Sequence, residues 1–140
     1  MTEAQAIEAI LQHWKTNWAT EQPSVPWVTD NEIGDAAASW VRITVQPTAS
    51  AQATMGRAPG RRWARRGQIA VQVFTPINQG DGPIAELADS VRAVLEGARI
   101  STAGVDEPVC TYAGSSSPRQ SDGVWHMTMV TVPFRYDQHR

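Results

Sequence analysis

Few residues in this chain are placed to make or break bonds. A metal site or a general base is most often built on histidine. The three here, His13, His126 and His139, show no His-x-His or His-Glu-x-x-His spacing, and each is read as structural. Cys110 is the only cysteine, which excludes an internal disulfide and a cysteine metal cluster. It lacks the local context of a nucleophile motif and is read as a small, partly buried hydrophobe. Gly80-Asp81-Gly82 stands just ahead of a helical pattern, where a phosphate could be cradled by free N–H groups. The lysine and glycine spacing of a P-loop are missing, and Asp81 would repel an anion, so a turn with a helix cap is the better account. Ser115, Ser116 and Ser117 have no Gly-x-Ser-x-Gly context. No catalytic residue, metal ligand or cofactor is nominated, and the chain is expected not to be an enzyme.

What the sequence offers is binding chemistry. Arg57, Arg61, Arg62, Arg65 and Arg66 crowd into ten residues together with Trp63 and no acid. The segment carries +5 against −7 for the rest of the chain. Guanidinium groups present a planar fork of donors that fits phosphate and carboxylate alike. One reading is nucleic acid, with the arginines on phosphates and Trp63 stacked on a base. A second is a protein contact, where Arg and Trp are the enriched residue types. A third is a solvated loop whose charge aids solubility. The acidity of the remainder ranks the protein contact first, and identical copies could then bind one another, segment to body, in a closed ring. Arg57, Arg61, Arg62, Trp63, Arg65 and Arg66 are the candidate interaction residues.

The elements that must position them read clearly on either side. In 67–74, Ile69, Val71 and Val73 alternate with Gln68, Ala70 and Gln72, the period of a strand with one buried face. A turn rich in Gly, Pro and Asn follows. The period then becomes helical: Ile84, Leu87, Ala88, Val91, Val94 and Leu95 share a stripe, Asp81 or Gly82 can cap the start, Pro83 fits the first turn and Gly97 the stop. Upstream, Thr2 and Gln5 form a capping box. Ile7, Ile10, Leu11, Trp14 and Trp18 then repeat at helical spacing; a core-facing face is preferred to a binding stripe. Trp27 and Val28 begin a short extended piece. Residues 40–46 alternate as the antiparallel partner of 68–74. Between these strands lies 47–66, about twenty residues where hairpin loops usually take 2–5. Arginines so close repel one another, so 49–66 is expected to be mobile in a free copy.

Downstream, 98–107 is a polar connection, 109–112 a short strand and 114–123 a flexible turn. Residues 124–136 alternate again, with Val124, His126, Thr128, Val130, Val132 and Phe134 on one face and Trp125, Met127, Met129 and Thr131 on the other. Both faces are largely apolar, which suits a central or covered strand. Pro133 requires an edge or a bulge at its own position. The expected fold is α+β: a mostly antiparallel sheet of about four to five strands, two helices packed on one face, and a long basic loop (47–66) between two central strands. Residues 1–140 read as a single domain, large enough to bury a core without staples. No run of about 18 apolar residues suggests a membrane helix, and the opening Met-Thr-Glu leads straight into an amphipathic pattern with no signal peptide. Synthesis inside a cell is expected.

With the whole chain read, its layout resembles the tail terminator (tail-completion) proteins of long-tailed bacteriophages and related tailed particles. An amphipathic helix is followed by a strand, a long loop and a strand running into the helix 83–97. The ending Gly114-Ser115-Ser116 … Gly123-Val124-Trp125-His126-Met127 … Val132-Pro133-Phe134-Arg135-Tyr136-Asp137 is similar to that family's last strands. The resemblance covers nearly the whole chain and rests on layout and this ending, without an invariant catalytic motif. It implies a homohexameric ring at the head-proximal end of a virion tail, capping the tail tube, stopping its polymerisation and offering a surface to the head–tail connector or stopper. Contact with DNA in the lumen is a further partner to consider; a membrane is not. Another head–tail joining or tail component, or a nucleic-acid-binding module using the Arg-rich segment, are the alternatives. The 57–66 segment has no residue-by-residue match in the family.

Overall fold

Helix α1 (Glu3–Glu21) begins where its caps are met. The Thr2 hydroxyl accepts from the Gln5 N–H at 3.2 Å while the Gln5 side chain accepts from the Thr2 N–H at 2.8 Å, closing the expected capping box. Its buried face is Ala6, Ala9, Ile10, Trp14 and Trp18. Ile7 and Leu11, read from the sequence as core, are only half-buried. The phase is set by the indoles: Trp14 and Trp18 stack at 4.6 Å, Trp27 meets Trp14 edge-on at 6.5 Å, and Trp18 Nε1 donates to the Val25 carbonyl at 3.0 Å. Rings of that size turn their side of the helix inward and leave Ile7 at the margin.

Residues 2–29, 39–52, 61–77, 80–101, 108–121 and 124–139 are described in the computed structural model. After α1 come β1 (Trp27–Thr29), β2 (Trp40–Gln52), β3 (Arg62–Pro76), α2 (Gly82–Leu95), β4 (Arg99–Ile100), β5 (Val109–Thr111), β6 (Ser115–Ser116), β7 (Gln120–Ser121) and β8 (Trp125–His139). The domain is α+β, but its sheet departs from the expected four to five mostly antiparallel strands. Eight strands form one mixed sheet in the order β1-β2-β3-β8-β5-β4, with β6 and β7 also paired to β8, and β1 runs parallel to β2. Strands of two or three residues are too short to show a period, and a parallel edge pairing leaves no local signal. Both helices share one core with Val41, Ile43, Ile69, Val71, Val73, Val130, Val132 and Phe134.

The long basic loop is the second correction. Residues 47–52 continue β2 and 62–66 begin β3. The β2–β3 ladder runs from Trp40 opposite Phe74 to Gln52 opposite Trp63, with a register shift between Pro47 and Ala49. The β3–β8 ladder runs unbroken from Arg62 opposite His139 to Pro76 opposite Trp125. The paired residues of this segment are strand rather than loop, set in register by β8. Residues 53–60 lie outside the described residues. No residue between 46 and 68 belongs to the core cluster, although Phe134 and Tyr136 of β8 do, so β2 and β3 run on past their own core residues along β8 as an arm. From Gly67 to Arg62 it extends about 17 Å at strand rise. Where the arm leaves the body, the ring of Phe134 lies against Gly67, and a Cβ there would stand 2.5 Å from Phe134 Cζ and from the Gln46 carbonyl.

Helix α2 starts at the expected place, with Asp81 as N-cap residue and Pro83 in the first turn, although Asp81 makes no side-chain cap bond. Gly97 has φ +63°, and the buried Thr111 hydroxyl donates to the Leu95 carbonyl and accepts from the Ala98 N–H at 2.7 Å, tying the helix end to β5. Strand β8 is central, as its two apolar faces suggest. Its Pro133 carbonyl accepts from the Tyr112 N–H at 3.0 Å. That places the missing proline donor in the gap between β5 and β6, where no strand needs it.

Candidate protein-interaction surface

The arm carries the candidate residues. Arg57 lies outside the described residues. Arg61 stands just before β3, and Arg62, Trp63, Arg65 and Arg66 are in it. Strand alternation divides them. Trp63 and Arg65 share the face that holds Ile69 and Val71, whereas Arg62 and Arg66 share the opposite face. Trp63 and Arg65 meet directly, the guanidinium carbon lying 5.5 Å from the indole centroid, and Arg65 Nε donates to Gln138 Oε1 at 3.1 Å. This is a cation–π pair whose ring and charge are presented together.

On the other face, Arg62 and Arg135 both turn to Asp137, at 3.7 Å and 3.5 Å. Asp137 is the one acid among the described residues of the arm. Neither distance is that of a strong charge-assisted bond, so one carboxylate loosely serves two guanidiniums. Arg66 is exposed and forms no ion pair among the described residues. Tyr136, buried in the same strand, has its hydroxyl pKa raised above 10.0, first by burial and then by the Glu3 carboxylate, with Arg65 opposing. Glu3, Ser50, Arg65, Arg66, Tyr136 and Gln138 line a cleft of about 470 Å³ at the base of the arm, beside the start of α1. Positive charge in excess, planar donors and one aromatic ring can bind carboxylate or phosphate groups.

A second group was only half legible in the sequence. On the sheet face away from the helices, Trp40 and Phe74 stack at 4.2 Å, Trp125 meets both edge-on, and Arg42 lies over Trp40 and Phe74 at 5.2 and 5.9 Å. Gln72 donates to the Met127 sulfur at 3.9 Å. Alternation puts Trp125 and Met127 on the strand face opposite Val124 and His126, and the same period puts Trp40 and Phe74 opposite Val41 and Val73.

A third group resembles a hydrolase constellation. Ser121 Oγ lies 3.0 Å from His126 Nδ1, and His126 Nε2 lies 2.9 Å from Asp81 Oδ1, which Arg119 Nε also approaches at 3.5 Å. In the serine-hydrolase arrangement the nitrogens are used the other way round, and the acid is buried. Here Asp81 is 72% exposed, so the group works as a strap between the start of α2 and the start of β8. His13 is a strap as well, its Nε2 donating to the Val94 carbonyl at 2.9 Å. Cys110 is half-buried in β5. Among the described residues no group of three or more His, Cys, Asp or Glu side chains could hold a metal ion, and no helix is long and apolar enough to cross a membrane.

No protein-family model and no curated protein matches the chain. Solved structures do. One protein without a functional name superposes with TM-score 0.74 at 19% identity, over 100% of this chain and 99% of its own. A chain from the virion of a native gene transfer agent particle superposes with TM-score 0.58 at 14% identity, over 96% of this chain and 97% of its own. At these identities the likeness is one of fold, and it extends over all or nearly all of the chain.

Proposed function

We propose that this chain is a structural component of a tailed, virion-like particle, and within it the ring that ends the tail tube and presents a surface for head–tail joining. The observation that carries this reading is the end-to-end likeness in fold to a chain of a gene transfer agent virion. The resemblance of layout and ending to tail terminators supplies the finer role. The arm supports it too, because charge and an aromatic ring held beyond the core are suited to contact between subunits. Its partners are further copies of itself in a homohexameric ring, the tail-tube protein, and the connector or stopper. DNA passing through the lumen is a further contact for the arginines. The work is positional, with no metal or nucleotide required.

The test is assembly. With purified tail-tube subunits, the chain should limit tube length as seen by electron microscopy, tubes formed without it should overgrow, and native mass measurement should find a ring. Chelator or nucleotide should change nothing. Tubes of unchanged length would move the assignment to another head–tail joining or tail component.

A further inference from the structure

Charge in this domain is separated along helix α1. At the N-terminal end of the helix stands the arm, where Arg61, Arg62, Arg65, Arg66 and Arg135 face one carboxylate, Asp137, among its described residues. Arg61 Nε is shielded from solvent and has no hydrogen-bond acceptor among the described residues. At the C-terminal end, exposed Glu21 is the last residue of α1 and the last turn holds no basic residue, so its carboxylate adds to the negative end of the helix dipole. Gln22 donates to Ser90 Oγ at 3.0 Å, and that hydroxyl donates to the Glu86 carbonyl at 3.0 Å. Those two bonds bring exposed Glu86 of α2 to the same end. Neither Glu21 nor Glu86 has a basic partner among the described residues. Nineteen residues of helix hold the two ends about 28 Å apart, several Debye lengths at physiological salt. Within one copy they cannot neutralise each other.

We infer that the arm of one copy docks on the Glu21/Glu86 end of a second copy. The inference rests on the ring reading above and names the surfaces that would make it. Arg61, Arg62 and Arg66 supply donors for the two carboxylates, and Trp63, carrying Arg65 on its face, is the aromatic anchor at the centre of the contact. The two surfaces differ, so the contact is head-to-tail: it repeats around a ring and leaves no arm unused when the ring closes. In the assembly the arm's positive charge meets carboxylates beyond Asp137 and Glu3 of its own copy.

A charge exchange tests the pairing. One variant carries Arg61→Glu and Arg66→Glu, the other Glu21→Arg and Glu86→Arg. All four sites are exposed or half-exposed, and thermal melting followed by circular dichroism checks that both variants fold. In sedimentation velocity each variant alone should associate at least tenfold more weakly than the native chain. An equimolar mixture should regain association, because every arm then meets an end of opposite charge. A mixture that stays dissociated while the native chain forms rings, or a Glu21/Glu86 variant that assembles like the native chain, overturns the pairing. So does an arm variant that loses only binding to a DNA duplex. Tube length measured on the same samples separates the two ideas. Native rings that limit tubes while the mixture fails would remove this contact and leave the terminator reading standing; a native chain that neither associates nor limits tubes removes both.

Discussion

Arg66 and Arg135 stand directly opposite each other across the β3–β8 ladder, two like charges on one face of the arm. Opposed like charges weaken an antiparallel pair by a few tenths to about 1 kcal/mol. Arg66→Glu should therefore stabilise the isolated monomer by about that amount in urea unfolding while weakening its association. A loss of monomer stability would show that Arg66 has a favourable partner within its own copy.

Gly67 should tolerate no side chain. The atoms that a Cβ would strike are a buried ring and a backbone carbonyl, neither of which can move aside freely. Gly67→Ala should cost about 1–3 kcal/mol by overpacking, visible as a lower denaturation midpoint. Phe134→Leu together with Gly67→Ala should recover part of it.

The phase of α1 gives a paired test. Ile10 is fully buried and Leu11 half-buried. Ile10→Ala and Leu87→Ala should each cost about 2–5 kcal/mol, and Leu11→Ala less than half as much. Equal losses at residues 10 and 11 would contradict the packing of the indoles.

Tyr136 predicts an alkaline limb. Its hydroxyl pKa is raised in the folded chain by burial and by Glu3, so above pH 10 the unfolded state loses this proton first. The stabilising contribution is complete below pH 10 and is lost as pH rises through the higher folded value. Tyr136→Phe should flatten the fall in melting temperature between pH 10 and 11, and Glu3→Gln should reduce it. An unchanged limb in Tyr136→Phe would assign it to other groups.

The sequence by itself determined the elements whose two sides meet different surroundings. Helix α1 with its Thr2–Gln5 box, the alternating strands on either side of the arm, helix α2 with Pro83 near its start and Gly97 just beyond its end, and a central β8 were all legible, because a buried face imprints a period of 3.6 or 2 on the chain. The composition of the candidate site was legible too: Arg61, Arg62, Trp63, Arg65 and Arg66 stand out as a run with no acid. Their structure was not. Beyond Pro47 and before Gly67 no residue of β2 or β3 joins the core cluster, so alternation disappears although the strands continue. What holds them is pairing with residues 134–139, some seventy positions away, and the sequence carries no local mark of that. The same reason hid parallel β1 and the two-residue strands beside β8. Trp14 and Trp18 could be placed on a helix from their spacing, but which neighbours turned inward with them was decided by the shape of the rings against the sheet. Only the tertiary structure joined Gln22 to Ser90 and so brought the Glu86 turn of α2 to the C-terminal end of α1, the far end from the arm.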